Sequence, residues 1–452
     1  MEYKSINTEA LQQLTPEMAW DYWLIPYQKG AVLHCYGEQG RSYETAQQEI
    51  EVLLGIPIDI TRIPAQELKK LLYQYYKKER FAADKTLPAN MYSDAAGESF
   101  FTKLITEAFG CYASDIHLEP YEQQCRIRLR IDGKLVEKYI LEKGRYASLV
   151  NQIKIMANMD ISEKRLPQDG RIMYNRNKEK FDVRVSSLPT IYGEKVVLRL
   201  LTRHVELLDI MNLGFTQKQR TDYLAAVGKP HGLVLISGPT GSGKSTTLYA
   251  TLIKLNNLTN NILTIEDPVE YTLAGVNQVQ LKEEIGLNFS SALRTFLRQD
   301  PDIIMLGEIR DAETAQMAIR SSLTGHLILS TIHTNSAWGS ISRLADMGVH
   351  PYLLSNTLVL CVAQRLIRTL CPYCQKEGCP QCYYTGYKGR KAIYEVIPID
   401  KSMQEAIRTS RSGIEDLLKE RQITSLKDSA MELFNKGETT MEEILPILQQ
   451  EE

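Results

Sequence analysis

The stretch Gly232–Leu255, "GLVLISGPTGSGKSTTLYATLIKL", joins a short apolar strand to a helix through a turn of glycines. Gly238, Gly243, Lys244 and Ser245 satisfy G-x-x-x-x-G-K-[ST], with the strand before and the helix after that the chemistry needs. The glycines let consecutive backbone N–H groups turn inward on phosphate oxygens, and the helix aims its positive end at the same anion. Gly238, Pro239, Thr240, Gly241, Ser242, Gly243, Lys244, Ser245 and Thr246 are therefore expected to hold a nucleoside triphosphate, ATP. Lys244 would neutralise the β- and γ-phosphates, and Ser245 would ligate Mg2+. A chance match in a glycine-rich turn is the competing reading, and the flanking strand and helix argue against it.

Around this loop, from about Thr216 to Arg368, short apolar strands alternate with helical segments, the signature of a parallel sheet covered by helices. The strands expected are "GLVLIS", "NILTIED", "DIIMLGE" and "HLILSTIH". Phosphoryl transfer also needs an ordered water and balanced charge, and three strand ends offer the parts. Glu266, Asp267 and Glu270 close "ILTIEDPVEY", where carboxylates could orient a water. Glu308 closes "DIIMLGE" on the Mg2+ side, with Gly307 where an Asp is more usual. His326 and His333 flank "LILSTI" and are expected to sense the γ-phosphate. A lone acidic strand end is usually only solvated; three polar clusters at successive strand ends of one sheet point to a ligand at its carboxyl edge.

Upstream, "LLGIPIDITRIPAQELKKLLYQYYKKER" reads as a strand and a helix with Leu68, Leu71, Leu72 and Tyr75 on one face. Residues 81–97 lack any period and are read as a linker. A mixed unit follows: the helix "ESFFTKLITEAF", a hairpin turning at Asp132-Gly133, and the strands "FDVRVSSLPT" and "KVVLRLL". Past Pro398 the tail reads as short helices.

The 452 residues suffice for about two to four domains. A net charge of −2 gives no basic field for nucleic acid or an anionic membrane. The N-terminus lacks a signal-peptide pattern, and "YLLSNTLVLCVAQRLI" is too interrupted to span a bilayer. A cytosolic protein that docks on membranes through partners is expected.

Four of the eight cysteines fall within "CPYCQKEGCPQC". Cys371, Cys374, Cys379 and Cys382 form two C-x2-C knuckles, and Zn2+ in a closed four-sulfur tetrahedron is the usual occupant. Disulfides are the competing reading, but a cytosolic compartment keeps thiols reduced. An iron–sulfur cluster is open from thiolate number alone, with nothing else here suggesting redox work. Cys35, Cys111, Cys125 and Cys361 read as ordinary buried residues.

Residues 98–395 resemble the secretion ATPases of type II secretion and type IV pilus assembly. The likeness runs in order through "ASDIHLEP", "IKIMANMDISEKRLPQDGR", "FDVRVSSLPTIYGEKVVLRLL", the phosphate loop, "IEDPVEY", "LRQDPDIIMLGEIRDAETA", "SLTGHLILSTIHTNSA" and the cysteine run through "GYKGRKAIYE". The resemblance implies an α/β fold: a RecA-like P-loop ATPase core (206–368) behind a PAS-like α+β domain (98–205). A short N-terminal docking domain (1–80), a tetracysteine zinc module (369–393) and a helical C-terminal domain (394–452) complete it.

It also implies a homohexamer that hydrolyses ATP to extend a pilus or pseudopilus. The ring would sit at the inner face of the cytoplasmic membrane, on a platform protein and a membrane-associated recruiting protein, with no direct nucleic acid contact. By resemblance Glu270 activates the water, Glu308 is the Walker B glutamate, and His326 and His333 form the histidine box. Arg184 and Arg199, with Arg171 a weaker third, reach the phosphates from the preceding domain; without the resemblance they would read as a solvated strand face. The tetracysteine module points to extension rather than retraction. Its four-residue spacer and the short N-terminal unit depart from the family pattern. A RecA-type nucleic-acid motor, a DNA-uptake pilus ATPase and a nucleotide-binding scaffold without turnover are the alternatives.

Overall fold

A computed structural model of the chain describes residues 8–11, 13–76, 100–176, 179–201, 208–409 and 413–449. The linker expected at 81–97 lies outside them. The chain divides into two units: Met1–Thr106 with Tyr121–Ile127 and Glu137–Leu149, and Glu107–Pro120 with Arg128–Val136 and Val150–Glu452.

In the first unit, β1 (Leu24–Lys29) pairs antiparallel with β2 (Leu33–Glu38), which pairs in parallel with β3 (Ile58–Ile63). The helix Ala65–Tyr75 buries Leu68 and Leu72 in a core with Trp20, Leu24, Ile25 and Leu33. Tyr75, expected on the same face, is exposed at the helix end. The Trp20 indole donates to the Tyr76 carbonyl at 3.2 Å, fixing where the chain leaves this helix.

A mixed sheet is built from β4 (Asp115–Pro120), β5 (Cys125–Ile131), β6 (Lys134–Leu141), β7 (Gln168–Arg176), β8 (Glu179–Thr190) and β9 (Gly193–Leu201), of which β4, β7, β8 and β9 lie wholly in the second unit. Its order is β6-β5-β4-β9-β8-β7. The β5–β6 turn is the expected Asp132-Gly133 pair, both at positive φ (47° and 83°). Register places Arg171 opposite Arg184, Arg184 opposite Arg199, and Arg199 opposite Asp115. Three arginines thus share one row on one face.

The larger sheet is built from β10 (Gly232–Ser237), β11 (Ile262–Glu266), β12 (Asn277–Gln280), β13 (Ile303–Leu306), β14 (Leu327–Ile332), β15 (Leu358–Leu370) and β16 (Tyr387–Pro398). Its order is β12-β11-β13-β14-β10-β15-β16, all parallel except the last pair. β10 and β14 are buried at every residue, as strands covered on both faces must be. Leu233, Leu235, Ile304, Leu306 and Ile328 face one apolar cluster; Val234, Ile236, Met305 and Leu329 face the other with Leu248 and Leu252 of the helix Lys244–Leu255.

The C-terminal helices Lys401–Arg408, Leu426–Asn435 and Met441–Leu448 send Met403, Leu426, Leu433 and Ile444 into the first of these clusters. The sheet runs to Pro398, so the boundaries expected at 368 and 393 fall inside a β15–β16 hairpin whose loop is the cysteine run. Strand pairing, which the 13 residues of β15 do not reveal by themselves, is what extends it.

Candidate functional site

Four polar loops leave the carboxyl ends of β10, β11, β13 and β14 along one edge. In the first, Gly238 sits at φ 149° and Gly243 at φ 89°. A Cβ on Gly238 would lie 2.6 Å from both the Gln364 carbonyl and Ser242 Oγ, and one on Gly243 2.8 Å from Gln364 Nε2. Gly241 is also at positive φ, 81°. Pro239, Thr240 and Ser245 are exposed, Thr246 is half-buried, and the buried Ser242 hydroxyl has no hydrogen-bond partner among the described residues. Lys244 Nζ donates to the carbonyls of Gly238 (2.8 Å) and Pro239 (3.0 Å). Burial lowers its pKa, with Glu308 opposing; an incoming phosphate would replace the two carbonyls as its partner.

Glu308 receives Arg310 Nε at 2.5 Å on Oε1 and His333 Nε2 at 3.2 Å on Oε2. Arg310 also reaches Asp267 at 3.3 Å. Lys244, Glu308, His333 and Asp267 are thereby gathered at one edge, with Arg310 between two carboxylates. Gly307 donates its N–H to the Ile265 carbonyl (2.8 Å), where a side chain would meet that oxygen at 3.3 Å. The close approach of β11 leaves a side chain at this position in tight contact.

Glu270 is half-buried, and burial raises its pKa against the pull of Arg184 and Arg199. Arg184 crosses to it from β8, with Nη1 3.6 Å from Oε2 and Nη2 donating to the Val269 carbonyl at 2.5 Å. At 3.6 Å Oε2 has a charge partner but no hydrogen bond. Arg199 is exposed and donates to Asp115 at 3.0 Å, and Arg171 is tied to Asp182 within its own sheet. Like charges facing one another across strands repel, and each arginine of the row carries its own carboxylate.

Two sequence expectations change. Glu266 faces away from the edge: it is 3% exposed and takes hydrogen bonds from Thr264 (2.5 Å), Gln278 (3.1 Å) and Tyr249. It is a buried anchor, not a water ligand. His326 precedes β14 at its amino end, bonded to the Ser321 carbonyl at 2.9 Å, whereas His333 follows the carboxyl end. A six-residue strand separates them by roughly 20 Å. The structure does not bring His326 to the edge. Sequence reasoning passed over Arg310, Tyr249 and Asp115; all three stand in the quoted motifs, and register is what sets Asp115 opposite Arg199.

Beside Gly243 and Thr246 lies a cavity of 630 Å3 that also takes in Leu366, Tyr394, Tyr383 and Lys388. Beyond it, the Sγ atoms of Cys371, Cys374, Cys379 and Cys382 all lie within 4.8 Å of one another. Cys371–Cys379, Cys374–Cys382 and Cys379–Cys382 stand at 3.8, 3.7 and 3.8 Å. A tetrahedron with Zn–S bonds near 2.3 Å has an edge of about 3.8 Å, so the residues fit zinc. Burial alone would raise the Cys382 thiol, but the N–H groups of Cys379 and Gly386 and the neighbouring thiols hold it down at about 7.

The fold and this edge define a P-loop ATPase. A family model described as "Type II/IV secretion system protein" matches residues 91–446, and the chain belongs to that family. It is 40% identical over 449 residues to the type II secretion system protein E of Dickeya dadantii, covering 89% of this chain and 90% of that one. The type IV pilus assembly ATPase PilB of Myxococcus xanthus is 42% identical over 448 residues, covering 92% and 75%. Among solved structures, the pilus retraction motor PilT with bound ADP matches with a TM-score of 0.57 at 26% identity, over 78% of this chain and 98% of that one. Among the described residues, no helix is long and apolar enough to cross a membrane.

Proposed function

We propose that this chain hydrolyses ATP to power assembly of a type II secretion pseudopilus or a type IV pilus. The reading makes it a homohexamer in the cytoplasm, seated at the inner membrane on a platform protein and a recruiting protein. The observation that supports it most is the convergence of Lys244, Glu308, His333 and Glu270 on one sheet edge, with Arg184 reaching in from the preceding sheet.

Residues 238–246 wrap the triphosphate, with Lys244 on its β- and γ-oxygens. Ser245 and, on the outer side, Glu308 would hold Mg2+, which balances charge on those oxygens. Glu270 orients a water in line with the γ-phosphorus and takes its proton; ADP is the leaving group. Its raised pKa suits a base that must bind a proton transiently. Arg184 steadies Glu270, and Arg199 is free to turn from Asp115 toward phosphate charge. The cavity beside Thr246 takes the ribose and base, with Leu366 and Tyr394 as its apolar wall. His333 senses the γ-phosphate through Glu308. The four thiolates would hold one Zn2+, which closes the loop of the β15–β16 hairpin and leaves no open position for chemistry.

Two substitutions test the assignment. Lys244→Ala should weaken ATP binding at least ~10-fold, having lost a charge-assisted contact. Glu270→Gln should bind ATP with near-normal affinity and lose turnover ~100-fold or more. Equal loss of ATP affinity in the two variants would remove Glu270 from the water-ordering role.

A further inference from the structure

The hydroxyl of Tyr249 is buried behind the sheet edge, on the helix Lys244–Leu255 and five residues beyond the phosphate-loop lysine. It donates to the carboxylate of Glu266. It also accepts two backbone N–H groups, Glu270 at 3.1 Å and Tyr271 at 3.3 Å. Burial, with the charge of Glu266, pushes its pKa up, so the phenol keeps the proton it donates.

Glu266 is itself fixed. Thr264 and Gln278 donate to its Oε1 at 2.5 and 3.1 Å. Gln278 also donates to the Tyr271 carbonyl (2.8 Å) and accepts from the Leu273 N–H (2.7 Å). The Tyr271 ring stands edge-on to Tyr249, centroids 5.1 Å apart. Arg184 and Gln278 hold the carbonyls of Val269 and Tyr271 on either side, and the N–H of Glu270 itself is held by the Tyr249 hydroxyl, which rides on the helix whose first turn is the phosphate loop.

We propose that Tyr249 is a positioning residue: anchored on Glu266, its hydroxyl sets where the Glu270 backbone stands relative to the phosphate-loop helix. A shift of that helix when phosphate binds is thereby passed to Glu270 through two hydrogen bonds. The inference rests on the reading of Glu270 as the base that orders the attacking water. A phenylalanine at this position would keep the ring packing and delete the tether together with one of the three donors to Glu266.

The test is steady-state ATP hydrolysis by the full chain carrying Tyr249→Phe, Glu270→Gln, or both, with KM for ATP measured alongside kcat. Misplacing a reacting group by about 1 Å can cost ~100-fold, so Tyr249→Phe should lower kcat about 10- to 100-fold with KM within about twofold. Added to Glu270→Gln it should cost no more than about twofold further, because a tether without its base has nothing to position. Wild-type turnover in Glu270→Gln would overturn the reading of Glu270 beneath the inference. Glu270→Gln inactive but Tyr249→Phe unimpaired in kcat would overturn the inference alone, as would a rise in KM matching the fall in kcat. Should Tyr249→Phe fail to fold with Glu266 left short of a donor, Tyr249→Phe with Glu266→Gln removes the buried charge and gives the same kcat and KM reading. A double variant that also fails to fold would make the hydroxyl a structural member of the core and overturn the positioning role.

Discussion

Glu270 carries a conflict that can be measured apart from catalysis. Burial raises its pKa above the ordinary carboxylate value, and Arg184 and Arg199 only partly offset this. A carboxyl whose folded pKa exceeds its unfolded one contributes stability fully below the unfolded pKa and loses it as pH rises through the folded pKa. At pH 8 the ionised group is therefore a burden, and Glu270→Gln should raise Tm by about 1–3 °C. The gain should shrink as pH falls below the ordinary glutamate range. A gain that is the same at pH 4 and pH 8, or a lower Tm at pH 8, would contradict the direction of the shift.

Spacing showed that carboxylates cluster after β11 but not which of them turns inward. Glu266, the last residue of that strand, alternates into the interior, and Glu270 escapes it only because the loop has left the strand. The two histidines were similarly paired by sequence and separated by the length of β14.

Four strands of the larger sheet, β10, β11, β13 and β14, were legible because each is an apolar run bounded by turn residues, whereas the polar β12 was not. The phosphate loop was legible in detail because glycine is required where Cβ would strike Gln364. Gly238→Ala, at φ 149° with its Cβ 2.6 Å from that carbonyl, should therefore lower ATP affinity about 10-fold or more in a nucleotide-binding titration. Wild-type affinity would show that the loop yields at this point. What was not legible was the partner of β15. A hairpin closed by a long loop leaves no local mark, so the sequence did not show that the cysteine run joins two paired strands.

At that tip, Cys371 N–H meets the Gly386 carbonyl at 3.0 Å, and Leu370 N–H meets Glu438 at 2.8 Å, so the loop is clasped to the C-terminal helices. Cys374→Ser with Cys379→Ser should abolish binding of one zinc per chain, read by elemental analysis of reduced protein. It should speed proteolysis within 371–386 while leaving ATP affinity within about twofold. Native protein without metal and with oxidised thiols would overturn the zinc assignment.

At the scale of the molecule, the chain belongs to a secretion ATPase family and carries a net charge of −2, so on the proposed reading DNA should leave its turnover unchanged within about twofold. The arginine row adds a constraint. Arg184 already touches Glu270, whereas Arg199 stands exposed on Asp115 and must move to meet phosphate. Arg199→Ala should accordingly lower turnover about 10-fold or more while shifting ATP affinity less than about threefold.

The proposed function makes the chain one subunit of a ring whose ATP sites are completed by assembly. The direct measurement is ATP turnover per subunit across a dilution series, with mass followed by light scattering down to the 51.5 kDa single chain. Turnover per subunit should collapse as the assembly falls apart, to about one-tenth or less of its assembled value. A rate per subunit that stays constant from assembly to single chain would contradict a motor built on assembly.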